Sequence, residues 1–268
     1  MLLSTSSSFT FPQASSLSWG MGALAFCMFL TSCNEADDVC TESYINGQLK
    51  FSVSCNKDAG EYEGEMKMFY ADGTLMAIRQ FKDGIEVDTA FYFHEDGESL
   101  KQILPFQVGH EHGESIHFYE DGTTREVTTF QKGFKHGPST TYFPTGTPQK
   151  SGFFAYDDKY DRWTTYREDG NPEYVLSYYE RELNGPFVVS RETGIPFLTG
   201  TFHRNMLDGE ILYYNEEGAI IHKEIWNMGK NNSFQASSPG PKEAGPGEVN
   251  FQYADKTISV SSAGVSVR

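Results

Sequence analysis

Seven glycine-tipped turns recur along this chain at nearly constant spacing, and that period constrains the fold more than any local motif. The tip glycines are Gly73, Gly97, Gly122, Gly146, Gly170, Gly194 and Gly218, with gaps of 24, 25, 24, 24, 24 and 24 residues. Such a period marks an array of one small unit, each copy burying its apolar face against its neighbours.

Each unit opens with Gly or Asp: Gly64, Asp88, Gly113, Gly137, Asp161, Gly185, Gly209. Five residues later stand Phe69, Phe93, Phe118, Tyr142, Tyr166, Ser190 and Tyr214. The tip glycine follows nine residues after the opener, and a second aromatic seventeen after it: Phe81, Phe130, Phe154, Tyr178, Phe202, Trp226. In the second unit a one-residue insertion displaces this aromatic to Phe106.

The tips read YADGTL, HEDGES, YEDGTT, FPTGTP, REDGNP, RETGIP and NEEGAI. An acid or threonine before glycine, between aromatic and β-branched runs, signals a hairpin turn. Each unit therefore predicts a strand, a tight turn, a second strand and a looser return loop. Residues 41–230 carry no sustained apolar stripe of helical period. The expected fold is all-β, an elongated antiparallel meander of about seven 24-residue β-hairpin repeats. The aromatics at the fifth and seventeenth positions are expected to line one face as core.

The pattern G-x4-[FY]-x3-G with a trailing aromatic, best seen in GEMKMFYADGTLMAIRQFKDG, GESIHFYEDGTTREVTTFQKGFKHG and GEILYYNEEGAIIHKEIWNMG, resembles the MORN-repeat variant of bacterial proteins. The resemblance is to the type labelled YwqK-like antitoxin and covers about residues 60–230. It implies an array of β-hairpins and brings no catalytic residues with it. The fifth unit departs by opening on Asp161, and the sixth by carrying Ser190 where an aromatic is expected.

Residues 1–33 contain no charged side chain, and Trp19–Leu30 is an apolar run of 12 residues, too short to span a bilayer. It fits the apolar region of a secretory signal. It leads into Leu30-Thr31-Ser32-Cys33, which resembles a bacterial lipobox, so residues 1–32 read as a signal peptide and Cys33 as the lipid anchor. Several acyl chains hold far better than one, at about 0.8 kcal/mol per buried CH2. The acidic cluster at residues 34–38 looks like a surface-export signal. The expected address is the bacterial outer membrane, on its periplasmic or surface side.

Residues 33–59 read as tether and N-terminal cap, 60–229 as the array, 230–249 as a Gly/Pro/Ser linker and 250–268 as a tail or capping strand. Cys40 and Cys55 form an even pair in an oxidising compartment, either bridged or left as two free thiols. The net charge of −16 lies wholly beyond residue 33. It excludes nucleic acid, whose phosphates would be repelled, and suits a basic protein partner.

Candidate chemistry is sparse. His110-Glu111-His112, with His94, His117 and His136, has metal-binding residue types but no firm third ligand. The tip carboxylates Asp72, Asp96, Asp121, Asp169 and Glu217 suit turn formation better than a cation site. Trp163 and Trp226 are the first suspects for stacking on sugars, with core packing the competing role. No nucleophile, phosphate-loop or metalloprotease motif occurs. The reading is a non-catalytic, membrane-anchored scaffold that needs no cofactor and binds a protein, basic in character or a toxin. An antitoxin or immunity protein, or a surface carbohydrate-binding protein, is the alternative.

Overall fold

The computed structural model describes residues 39–56, 58–232, 248–253, 256–261 and 264–267. The signal peptide, Cys33, the acidic cluster and most of the 230–249 segment lie outside the described residues. The described residues all fall within one compact unit.

Every strand from Val39 to Asn231 belongs to one 20-stranded sheet, and each pairs antiparallel with a strand next to it along the chain. An opening hairpin, Val39–Ser43 with Leu49–Asn56, leads into the seven units. In the first unit, Glu61–Phe69 pairs with Leu75–Lys82 across the tip. The next unit's Ile85–Phe93 then pairs with Leu75–Lys82 from the other side. This is the predicted meander, built from sequence-local pairing alone.

The tips are three-residue turns. The Gly73 amide donates to the Tyr70 carbonyl at 3.0 Å, and the Tyr70 amide to Thr74 at 2.8 Å. Gly73 then sits at φ 94°, the left-handed residue that closes a type I turn with a bulge. The same bond pair recurs at all seven tips, with one extra residue at the second, where the amide of His94 donates to Ser99.

The return loops are tighter than the sequence suggests. Each is a two-residue turn with both φ angles positive: Asp83-Gly84, Val108-Gly109, Lys132-Gly133, Tyr156-Asp157, Glu180-Arg181, Arg204-Asn205 and Met228-Gly229. Positive φ at both positions is the type I′ hairpin, whose twist matches that of paired strands. Residues other than glycine fill most of these places, so the turn chemistry was masked. The openers are a third left-handed site. Gly137 has φ 116° and Asp161 φ 57°, and at each opener the ladder to the preceding strand breaks register. They are β-bulges, where two extra residues on the opener's strand bend it.

Strand alternation separates the two aromatic columns. The seventeenth-position rings pack with residues two after the opener: Phe154 lies 4.8 Å from Trp163, and Phe202 lies 4.9 Å from Phe187. The fifth-position rings lie on the other face. Tyr166 Oη meets Ser151 Oγ at 3.2 Å, and Tyr214 Oη meets Thr199 Oγ1 at 3.1 Å. The expectation of a single aromatic face fails because the tip bulge reverses the side-chain parity between the two strands.

The core column is the position two after the opener, a place the sequence did not single out. Met66, Ala90, Ser115, Ser139, Trp163, Phe187 and Ile211 are all buried there. Its character changes along the array. In the middle units it is small and polar, and Thr128 Oγ1 hydrogen bonds to Ser139 Oγ at 2.7 Å. From Trp163 to Trp226 it becomes an aromatic and aliphatic cluster. Val260, on the three-stranded C-terminal sheet of Glu248–Tyr253, Lys256–Ser261 and Gly264–Val267, is fully buried in that same cluster. At the other end Cys40 and Cys55 are joined as a disulfide, beside a small cluster of Phe51, Val53 and Met66.

Candidate functional site

Two surfaces stand out: the edge formed by the tips, and a patch of exposed rings on the face opposite the core.

Neighbouring tips touch. Asn46 Nδ2 donates to the Ala71 carbonyl at 2.9 Å, Thr147 Oγ1 to Glu168 at 3.3 Å, and Asn171 Nδ2 to Glu192 at 3.2 Å. At five of these turns the residue before the turn adds a second tie, one unit long. Tyr44, Tyr70 and Tyr119 donate their hydroxyls to the carbonyls of Phe69, Phe93 and Tyr142. Arg167 donates to Ser190, and Arg191 to Tyr214. His94 occupies this place in the second unit, and its Nε2 is buried without a partner. The doublets Phe69-Tyr70 and Phe118-Tyr119 are the sequence trace of this ladder, and the repeat pattern singles out only the first ring of each.

The tip edge is strongly acidic. Asp72, Asp96, Asp121, Asp169 and Glu217 precede the tip glycines, with Glu95, Glu120, Glu168 and Glu216 beside them. Asp72 accepts from the Thr74 amide at 2.9 Å, and Asp121 from Thr123 at 2.8 Å. The Thr74 amide and the Thr123 hydroxyl hold these two carboxyls below the usual carboxylate range. Bonds from the Ser99 hydroxyl and from the Glu98 and Ser99 amides push Asp96 down to about 2. These turns therefore carry fixed negative charge at neutral pH. Arg167 and Arg191, the cations at these tips, direct guanidinium N–H groups to main-chain carbonyls.

The tip glycines Gly73, Gly97, Gly122, Gly146, Gly170, Gly194 and Gly218 all have positive φ. The histidine candidates do not converge. Among the described residues no three His, Cys, Asp or Glu side chains gather in metal-binding geometry. His117 is half-buried, which pushes its pKa down.

The second surface lies near the return turns of the fourth and fifth units. Six aromatic side chains are exposed among the described residues, and five of them are here: Phe134, Phe153, Tyr156, Tyr160 and Tyr179, each between 46% and 64% exposed. Phe153 pairs directly with Tyr160 across the ladder. The Tyr160 and Tyr179 rings stand 6.1 Å apart, inclined at 53°. Phe134 and Tyr156 make an edge contact at 6.1 Å. An open groove of about 510 Å³ runs between Tyr160 and Tyr179, walled by Asp161, Arg162, Asn184 and Pro186.

The core holds this patch in place from behind. Gly152 has no side chain, and a Cβ there would come within 2.6 Å of Trp163 Cγ. The indole fills that space and donates from Nε1 to the Phe153 carbonyl at 2.9 Å. Lys159 lies over Trp163 at 5.3 Å and Tyr178 at 5.0 Å, and burial pushes its pKa down. Trp163 and Trp226, the residues first suspected of stacking on sugars, are both buried. The exposed rings occupy positions that vary between units, so the repeat pattern concealed them.

Residues 62–83 and 111–132 match the family model described as MORN repeat variant. Each match begins two residues before an opener and ends within a return turn. No curated protein matches the chain. Among solved structures it is similar to the Photorhabdus luminescens Tc holotoxin pore carrying the TccC3-D651A mutation, at 11% identity, over 85% of this chain and 14% of that one, with a TM-score of 0.17. It is also similar to the TcdB2-TccC3-Cdc42 crystal structure, at 10% identity over 85% and 14%, with a TM-score of 0.14. The chain spans about one seventh of those chains, and overlap this low carries no argument.

Proposed function

We propose that this chain, which carries MORN-variant repeats, is a non-catalytic scaffold held at the bacterial envelope through a lipid on Cys33, and that its tip edge docks a basic protein. The observation that carries this reading is the fixed anionic edge. Its carboxylates are anchored by turn amides, its neighbouring tips are tied together, and its arginines face the main chain. Such an edge steers a positively charged partner and sets its orientation more than it adds raw affinity. Docking should therefore weaken steeply with salt.

The test is a crosslinking pull-down of the tagged full-length protein from its own cells, at low and high salt. A basic partner recovered in near-equal amount, and lost from an Asp72→Asn/Asp96→Asn/Asp121→Asn variant, supports the reading. A partner retained by that variant and insensitive to salt refutes docking at this edge. A toxin as partner makes the scaffold an immunity protein. For the anchor, Cys33→Ala is expected to move the protein from the membrane to the soluble fraction, and unchanged fractionation removes that part.

A further inference from the structure

We propose that the exposed rings of the fourth and fifth units form a carbohydrate-binding site, with a glycan chain lying across Phe153, Tyr160 and Tyr179. A sugar ring offers one apolar face of C–H groups and a rim of hydroxyls. Its site needs flat aromatic surface bordered by hydrogen-bonding groups. The groove supplies both. Tyr160 and Tyr179 make a V of two rings 6.1 Å apart, inclined at 53°. Arg162, Asn184 and Asp161 stand on its walls as donors and acceptors for hydroxyls. Its volume of about 510 Å³ falls within the usual range for small-ligand sites.

Charge separates this site from the tip edge. The groove is lined by one cation, Arg162, and one carboxylate, Asp161. The fourth tip, FPTGTP, carries no acid. In a chain of net charge −16 the groove is locally balanced in charge, which suits a glycan. A basic protein is better served by the tip edge, so the ring patch and the edge serve different ligands. The platform is also preformed. Trp163 fixes the backbone of Phe153 from behind, so little ordering entropy opposes binding.

Affinity electrophoresis of the full chain tests this, in native gels containing xyloglucan, dextran, alginate or polygalacturonate. Retardation is expected in at least one gel, the neutral and acidic glycans telling the two kinds of sugar apart. Tyr160→Ala and Tyr179→Ala should each weaken it tenfold or more, and Tyr160→Phe should keep most of it. Arg162→Ala, at an exposed position, should weaken it without moving the unfolding midpoint. Asp96→Asn/Asp121→Asn should leave it unchanged. Unretarded migration in all four gels overturns the proposal. So does retardation that survives Tyr160→Ala/Tyr179→Ala, or that disappears in the tip variant.

Discussion

Gly200 offers a direct test of how the aromatic half of the array is packed. Its φ is not left-handed, so alanine meets no backbone strain there. Taken alone, removing a glycine's freedom from the unfolded chain would stabilise by about 0.4–1 kcal/mol. The surroundings reverse the sign. A Cβ at Gly200 would overlap Ile211 Cδ1 and come within 2.6 Å of Phe187 Cε1, and both residues are fully buried. Relieving that overlap requires moving core side chains by roughly an ångström, which typically costs about 1–3 kcal/mol. The net expectation for Gly200→Ala is a loss of about 1–2 kcal/mol. Ile211→Val removes the nearer clashing carbon and by itself costs about 0.5–1.5 kcal/mol. Steric overlap at this point predicts that the two changes together cost less than their sum, with the Phe187 contact keeping the rescue partial. Urea unfolding with an unchanged m-value gives the global figure. Because an array can open unit by unit, hydrogen exchange of the Pro196–His203 amides reads the local one. Wild-type stability in Gly200→Ala, or strict additivity in the double variant, would falsify the packing described here.

Three further outcomes follow from the backbone and the termini. Val108 sits at φ 51° in a return turn, a costly conformation for a β-branched residue, and it is 68% exposed. Val108→Asn is expected to raise stability by about 1 kcal/mol, since asparagine tolerates this region; a lowered melting temperature would count against the turn assignment. Replacing Cys40 and Cys55 together by serine should cost up to about 3 kcal/mol, with the Val39–Ser43 and Leu49–Asn56 amides losing exchange protection first; uniform loss along the array would contradict a local clamp. Asp96 should titrate at about 2 in a carboxyl-carbon NMR titration. Its folded pKa lies below the unfolded value, so its contribution is complete above about pH 4 and fades as pH falls towards 2. A midpoint near the unperturbed value would mean that the Ser99 and Glu98 bonds are absent.

The period was legible because turn chemistry is local. A tip needs one left-handed residue at the close of a type I turn, and glycine fills that place in all seven units, so repeat length, strand count and antiparallel order could all be read from spacing. The return turns were harder to read. Two-residue type I′ turns tolerate Asp157, Arg181 and Asn205 in the place held elsewhere by glycine, so composition no longer signals them. The even cysteine pair was visible in sequence, while its closure depends on the strand register that sets Cys40 opposite Val53, with Cys55 two residues further along that strand.

What spacing could not reveal was facing. The bulge at each tip shifts side-chain parity by one residue, so whether Phe69 and Phe81 share a face depends on that irregularity rather than on their twelve-residue separation. Trp163 turns inward, into the space left by Gly152, while Tyr160, three residues earlier and paired with Phe153, turns outward. The sequence determined the repeat, its turns and its acidity, because these depend on residues adjacent in the chain. Only the tertiary structure decided which rings are core and which are offered to a ligand, because burial depends on strands brought together across a bulged ladder.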